Sequence, residues 1–139
     1  MIVRNSKGET MAVVVKSFRV DWDVDTMEAY GVYYCLKVCW EGGYRKIEME
    51  MDSKIVADAL NSKKILHNYT SCFIHDAHTL GSLFDAISFS HIRRSANMVA
   101  HKLTRLALES EGEKSWFREC PTCVVALIEH EKPCISLEN

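Results

Sequence analysis

The chain has 139 residues, 47% of them apolar, enough for one cored domain, which at that length buries roughly 70% of its unfolded surface. Lys and Arg number 17 against 19 Asp and Glu, a net charge of −2, which excludes a protein that holds nucleic acid by being basic throughout. Six glycines and two prolines exclude collagen-like, low-complexity and disordered classes.

No run of about 18 apolar residues is present, so no membrane span is expected. Residues 1–10 (MIVRNSKGET) contain no apolar core of a secretory signal. Six cysteines (Cys35, Cys39, Cys72, Cys120, Cys123, Cys134) then read as reduced thiols of an intracellular protein, in cytoplasm or nucleus, rather than as a disulfide framework.

Residues 1–4 look like the last residues of a strand running into a turn at Asn5-Ser6-Lys7-Gly8, so the chain is expected to begin inside an element. Residues 11–16 (MAVVVK) are β-branched and apolar and predict a strand. Residues 26–41 are apolar nearly all round, which predicts a buried helix ended by Gly42-Gly43. Residues 45–51 switch to period two, with Ile47, Met49 and Met51 against Lys46, Glu48 and Glu50, a half-buried strand.

Ile55, Val56, Ala59 and Leu60 return to helical spacing behind a capping Ser53. A second amphipathic helix fits residues 70–84, a strand fits 86–92 with Ile87, Phe89 and His91 on one face, and a helix fits 96–109. Residues 109–114 (ESEGEK) read as a linker before a C-terminal tail whose Val124, Val125, Leu127 and Ile128 form a short docking helix. The expected organisation is therefore a mixed α/β body over residues 1–109 and a linker with tail helix over 110–139.

Four groups of side chains can carry chemistry. Glu28 is the only carboxylate of its helix before Glu41, but Asp25 three residues earlier would make it part of a capping box, and on spacing alone that reading leads. Asp52 follows the carboxyl end of the 45–51 strand, where open α/β sheets place ligands, although a solvated acid opening the next helix explains it as simply. Between residues 86 and 108 lie Arg93, Arg94, Lys102 and Arg105 and no acid; Asn97 and His101 stand one helical turn apart there. A basic helix start can contact phosphate, and an ordinary solvated face is the bland alternative. Finally Cys120, Cys123, His130 and Cys134 are ligand types that suit zinc, but their C-x2-C-x6-H-x3-C order is a weak match, and a packing helix with buried thiols is preferred.

The order and spacing of these segments are more specific than any one of them. Arg4-Asn5-Ser6-Lys7-Gly8 before a strand, Met27-Glu28-Ala29 opening a buried helix, and Glu50-Met51-Asp52-Ser53 with Val56-Ala57-Asp58-Ala59-Leu60 together resemble the ribonuclease H family. So do His91-Ile92, Arg94-Ser95-Ala96-Asn97 and Val99-Ala100-His101 with Leu103, and the Trp116-Phe117 and Pro121 of the tail. The resemblance is to the reverse-transcriptase-like type found in plant genomes and transposon-derived genes, and it covers nearly the whole chain.

That resemblance implies an RNase H-like mixed sheet flanked by helices, lacking its first strand. It implies metal-dependent cleavage of the RNA strand of an RNA–DNA hybrid, with Glu28 and Asp52 as ligands of Mg²⁺ (or Mn²⁺). Hard cations take oxygen ligands, and paired ions stabilise both the attacking and the leaving oxygen. By the same resemblance Arg93, Arg94, Asn97 and Lys102 would contact nucleic acid.

No residue matches the family's first catalytic Asp, since no acid precedes Glu9. His101 stands where many members carry the last Asp; imidazole suits Mg²⁺ poorly but can serve proton transfer or product release. The expectation is a ribonuclease H-type domain with weak or no cleavage. A non-catalytic nucleic-acid or protein interaction module on the same fold is the alternative, with zinc not favoured.

Overall fold

The computed structural model describes residues 1–17, 20–62 and 68–131. The chain divides into two compact units, taken here one at a time: the described residues of 1–19 with 94–139, and those of 20–93.

In the first unit, strand β1 (Ile2–Arg4) turns back into β2 (Thr10–Lys16) as an antiparallel hairpin. The turn follows from Asn5, whose Oδ1 accepts the backbone N–H of Lys7 at 3.0 Å and of Glu9 at 2.9 Å. Gly8 supplies the φ of +77° that closes it. The turn expected at Asn5-Ser6-Lys7-Gly8 is thus present, and the strands before and after it pair.

β2 is buried at every residue from Ala12 to Val15, the continuous apolar run of a strand covered on both faces. Its second edge pairs antiparallel with Glu113–Phe117, which makes a three-stranded sheet. The expected linker therefore ends in a strand. Helix Met98–Leu108, entered through a 3₁₀ turn at Arg94–Ala96, lays Val99 and Leu103 on Val13 and Val15. Pro121 opens a second 3₁₀ turn (Thr122–Val124) that runs into the tail helix Val125–Glu131. Val124 and Ile128 complete this core, with Leu127, Trp116 and Cys120 packed at its margin. The tail helix docks through its apolar side, as its sequence predicts.

In the second unit, α1 (Val24–Glu41) buries Thr26, Ala29, Val32, Leu36 and Cys39, one stripe at helical spacing, and leaves Val24 exposed. Its end is a Schellman motif: Tyr44 N–H donates to the Cys39 carbonyl at 3.0 Å and Gly43 N–H to the Trp40 carbonyl at 3.1 Å. Gly43 takes the left-handed φ of +85° that the motif needs.

Directly after it, the Arg45 guanidinium lies 3.7 Å from the Trp40 ring centroid and donates to the carbonyls of Trp40 and Tyr44 at 2.9 and 3.0 Å. This fastens the end of α1 to the start of β3 (Lys46–Met51). β3 pairs in parallel with β4 (Ala86–His91), Lys46 opposite Ala86 through Met51 opposite His91. Between them come α2 (Lys54–Ser62) and α3 (Tyr69–Gly81). Helices α1 and α3 pack on each other, and a hydrogen bond between the buried Thr26 and Thr70 hydroxyls, 2.9 Å long, joins them.

The chain is thus mixed α/β as expected, and the strands among the described residues form two sheets, an antiparallel β1-β2 with Glu113–Phe117 and a parallel β3-β4. For the remaining elements we number Glu113–Phe117 as β5, Met98–Leu108 as α4 and Val125–Glu131 as α5. Among the described residues no helix is long and apolar enough to cross a membrane.

Candidate functional site

Glu28 lies in the second turn of α1 and is half-buried. The capping box expected around it does not form. The residue that caps α1 is Asp23, whose backbone is extended and whose Oδ1 accepts the Thr26 N–H at 2.8 Å. Counting from that cap, Asp25 is inside the first turn and Glu28 is beyond N3, the position a capping-box Glu must hold. These hydrogen bonds from Thr26 hold the Asp23 carboxyl below the usual range.

Asp52 follows the last residue of β3, at the carboxyl end of the parallel pair, and is half-buried. Period two continues through it: Glu48 and Glu50 are exposed on the same face, while Met51 is buried on the other. The pair closes immediately beyond, where Ile92 N–H donates to the Met51 carbonyl at 2.8 Å. As with Glu28, the neighbouring helix is capped by another residue. Ser53 Oγ accepts the Val56 N–H at 3.3 Å, the capping contact its position predicts.

Both acids belong to the 20–93 unit, in which α1 packs on α2. Both also have partners in the structure beyond the bonds named here. As oxygen donors they suit a hard divalent cation. They are two in number, and among the described residues no group of three or more His, Cys, Asp or Glu is placed to hold a metal.

The basic segment divides between the units. Arg93, exposed, ends the 20–93 unit; Arg94, Asn97, His101 and Lys102 belong to the other. Arg94 sits in the 3₁₀ turn and Asn97 at the start of α4, with His101 one turn on, its N–H donating to the Asn97 carbonyl at 3.1 Å. Arg94 and Lys102 are exposed and Asn97 and His101 half-buried, while Val99 and Leu103 take the buried side, as the spacing predicts.

Of the sulfur-rich set, Cys120 is half-buried at the core margin, Cys123 and His130 are exposed, and Cys134 lies outside the described residues. On α1, Cys39 is buried; burial first, and the neighbouring Cys35 second, push its thiol up to about 11.

One contact had no sequence signal. Glu131, at the end of α5, accepts the Val99 N–H of α4 at 2.9 Å and the Arg4 guanidinium at 2.9 Å. Its partners lie 32 and 127 residues away, beyond the reach of any periodicity.

Comparison with known proteins agrees with this architecture. A family profile described as reverse transcriptase-like matches residues 1–107. Among solved structures the chain is similar to RNase H1 from the halophilic archaeon Halobacterium salinarum NRC-1, with a TM-score of 0.61 and 19% identity over 70% of this chain and 96% of that one. No curated protein matches the chain. The match over residues 1–107, with the fold shared with an archaeal RNase H1, shows that this chain belongs to the reverse transcriptase-like family of RNase H-like domains.

Proposed function

We propose that this chain is a nucleic-acid-binding RNase H-type domain acting on RNA–DNA hybrids, in which Glu28 and Asp52 are the metal-facing carboxylates and hydrolysis is weak. The observation that carries this reading is local. Asp52 follows β3 at the carboxyl end of the parallel β3-β4 pair, where open α/β sheets hold ligands, and Glu28 lies on α1 of the same unit, in a chain that belongs to this family.

Glu28 and Asp52 would hold Mg²⁺ or Mn²⁺, which when bound polarises the phosphate and lowers the pKa of its water. Arg93, Arg94, Asn97 and Lys102 would position the phosphate backbone, and His101 would move a proton or assist release of the cleaved strand. Two carboxylates give a low ligand charge, so we expect loose metal binding and slow turnover.

Binding of a labelled hybrid, measured against salt, tests the first half of the proposal. About four phosphate contacts give a log–log slope near −3.6, and Arg94→Ala flattens it by about 0.9. Cleavage in Mg²⁺ and Mn²⁺ tests the second half. Slow turnover abolished by Asp52→Asn, with binding kept, supports the assignment. Hybrid binding with no turnover under either ion favours the non-catalytic interaction module, and turnover unchanged in Asp52→Asn overturns the role given to that residue.

A further inference from the structure

Asn97 occupies the cap position of α4, yet its side chain makes no capping hydrogen bond. The donor it would satisfy is taken by a distant residue. Glu131 Oε1 accepts the Val99 N–H, and Glu131 Oε2 accepts Arg4 Nη2, both at 2.9 Å. The contact is built into the fold: the side chains of Glu131 and Arg4 are only 13% and 22% exposed. The Arg4 Nε, fully buried, has no partner among the described residues, so the guanidinium keeps a donor unused. The helix that delivers Glu131 is docked by Val124 and Ile128, which are buried in the core beside Val99 and Leu103.

A guanidinium together with an N–H at a helix start is the donor set that holds a phosphate oxygen. Here a carboxylate of the same chain holds it, at the end of α4 that carries Asn97 and follows Arg94. We propose that the tail helix α5 is an intramolecular latch: Glu131 places a carboxylate on Arg4 and the α4 start, and this contact opposes nucleic-acid phosphate at that end of α4. The inference rests on the nucleic-acid reading above. It adds that tail docking and polyanion binding compete, since both call on the same positive end of α4.

The test uses the full chain and the Glu131→Gln variant, which keeps the shape of the side chain and removes its charge. A fluorescently labelled RNA–DNA hybrid is the probe, titrated over a range of salt. The variant is expected to bind about two- to fivefold more tightly, the effect of one charge at a helix start, with a salt slope steeper by up to about 0.9. Glu129→Gln removes the same charge two residues away and serves as the control. Equal tightening by Glu129→Gln, or none by Glu131→Gln, overturns the latch.

Should neither wild type nor variant bind the hybrid, the nucleic-acid reading is what fails. The latch is then decided by hydrogen exchange. Glu131→Gln, or Glu131→Asp if the first variant folds poorly, must speed exchange of the Val99 amide and of residues 125–131 while leaving β2 unchanged. Unaltered exchange at Val99 overturns it.

Discussion

The two sheets of this chain are built to different standards. In the antiparallel sheet, β2 is paired on both edges and buried at every residue from Ala12 to Val15. In the parallel pair, β3 and β4 each have one partner among the described residues, and alternate residues of both strands are exposed. Parallel strands are ordinarily covered on both faces, so the β3-β4 pair is the lighter scaffold, and Asp52 stands at its end. Asp52 thus stands at the end of a strand whose alternate residues face solvent, while Glu28 lies on the packed helix α1.

The largest effect is expected in the buried core of the first unit. Leu103 is 1% exposed against Val13 and Val15, and Leu103→Ala is expected to cost about 2–5 kcal/mol in urea unfolding, with faster exchange of the β2 amides. A loss below about 1 kcal/mol would mean that β2 does not owe its protection to α4.

The second unit adds a buried polar tie to its own apolar core, which includes Leu36, Val56 and Ile74. Thr70→Val removes the partner that the buried Thr26 hydroxyl has on α3 and should cost about 0.5–1.5 kcal/mol, with the Thr26→Val, Thr70→Val double variant losing less than the sum of the single variants. Strictly additive losses in the same unfolding assay would show that the hydrogen bond contributes nothing of its own.

A smaller effect concerns acid. The folded Asp23 carboxyl titrates lower than an unfolded one, because it accepts from Thr26, so its contribution is present above about pH 4 and is lost as pH falls through the lower folded value. Wild type should therefore lose stability on acidification more steeply than Asp23→Ala. The smallest effect is chemical: with its thiol pushed up to about 11, Cys39 should react with a thiol reagent at pH 8 more slowly than the exposed Cys72 and Cys123. Mass spectrometry of the labelled sites reads this directly.

Most elements were legible in the sequence because their signals are local. The apolar run of α1, the alternation of β3 and the Gly42-Gly43 stop each lie within a few residues of what they predict, although α1 buries one stripe rather than its whole circumference. What escaped was decided elsewhere in the chain. β5 reads Glu113-Lys114-Ser115-Trp116-Phe117, without alternation, and is a strand only because its backbone pairs with β2 from Ala12 to Lys16. Asp21, Asp23 and Asp25 stand at alternate positions around the start of α1, and composition cannot rank them. The extended backbone of Asp23 (φ −68°, ψ 168°) selects the cap, and that choice withdraws Glu28 from a capping box. Asp52 and the Asn97–His101 spacing were readable as positions, while the Glu131 contact spans 127 residues to Arg4 and leaves no trace in any window.

The central claim is that Glu28 and Asp52 face one divalent cation. The most direct measurement is the paramagnetic broadening of backbone amide signals as Mn²⁺ is titrated into the full chain. The account predicts that broadening centres on the amides around Glu28 and around Asp52 together, and that Asp52→Asn removes it from both places. Broadening confined to Glu48 and Glu50, or to the acids between residues 109 and 113, and untouched by Asp52→Asn, would contradict it.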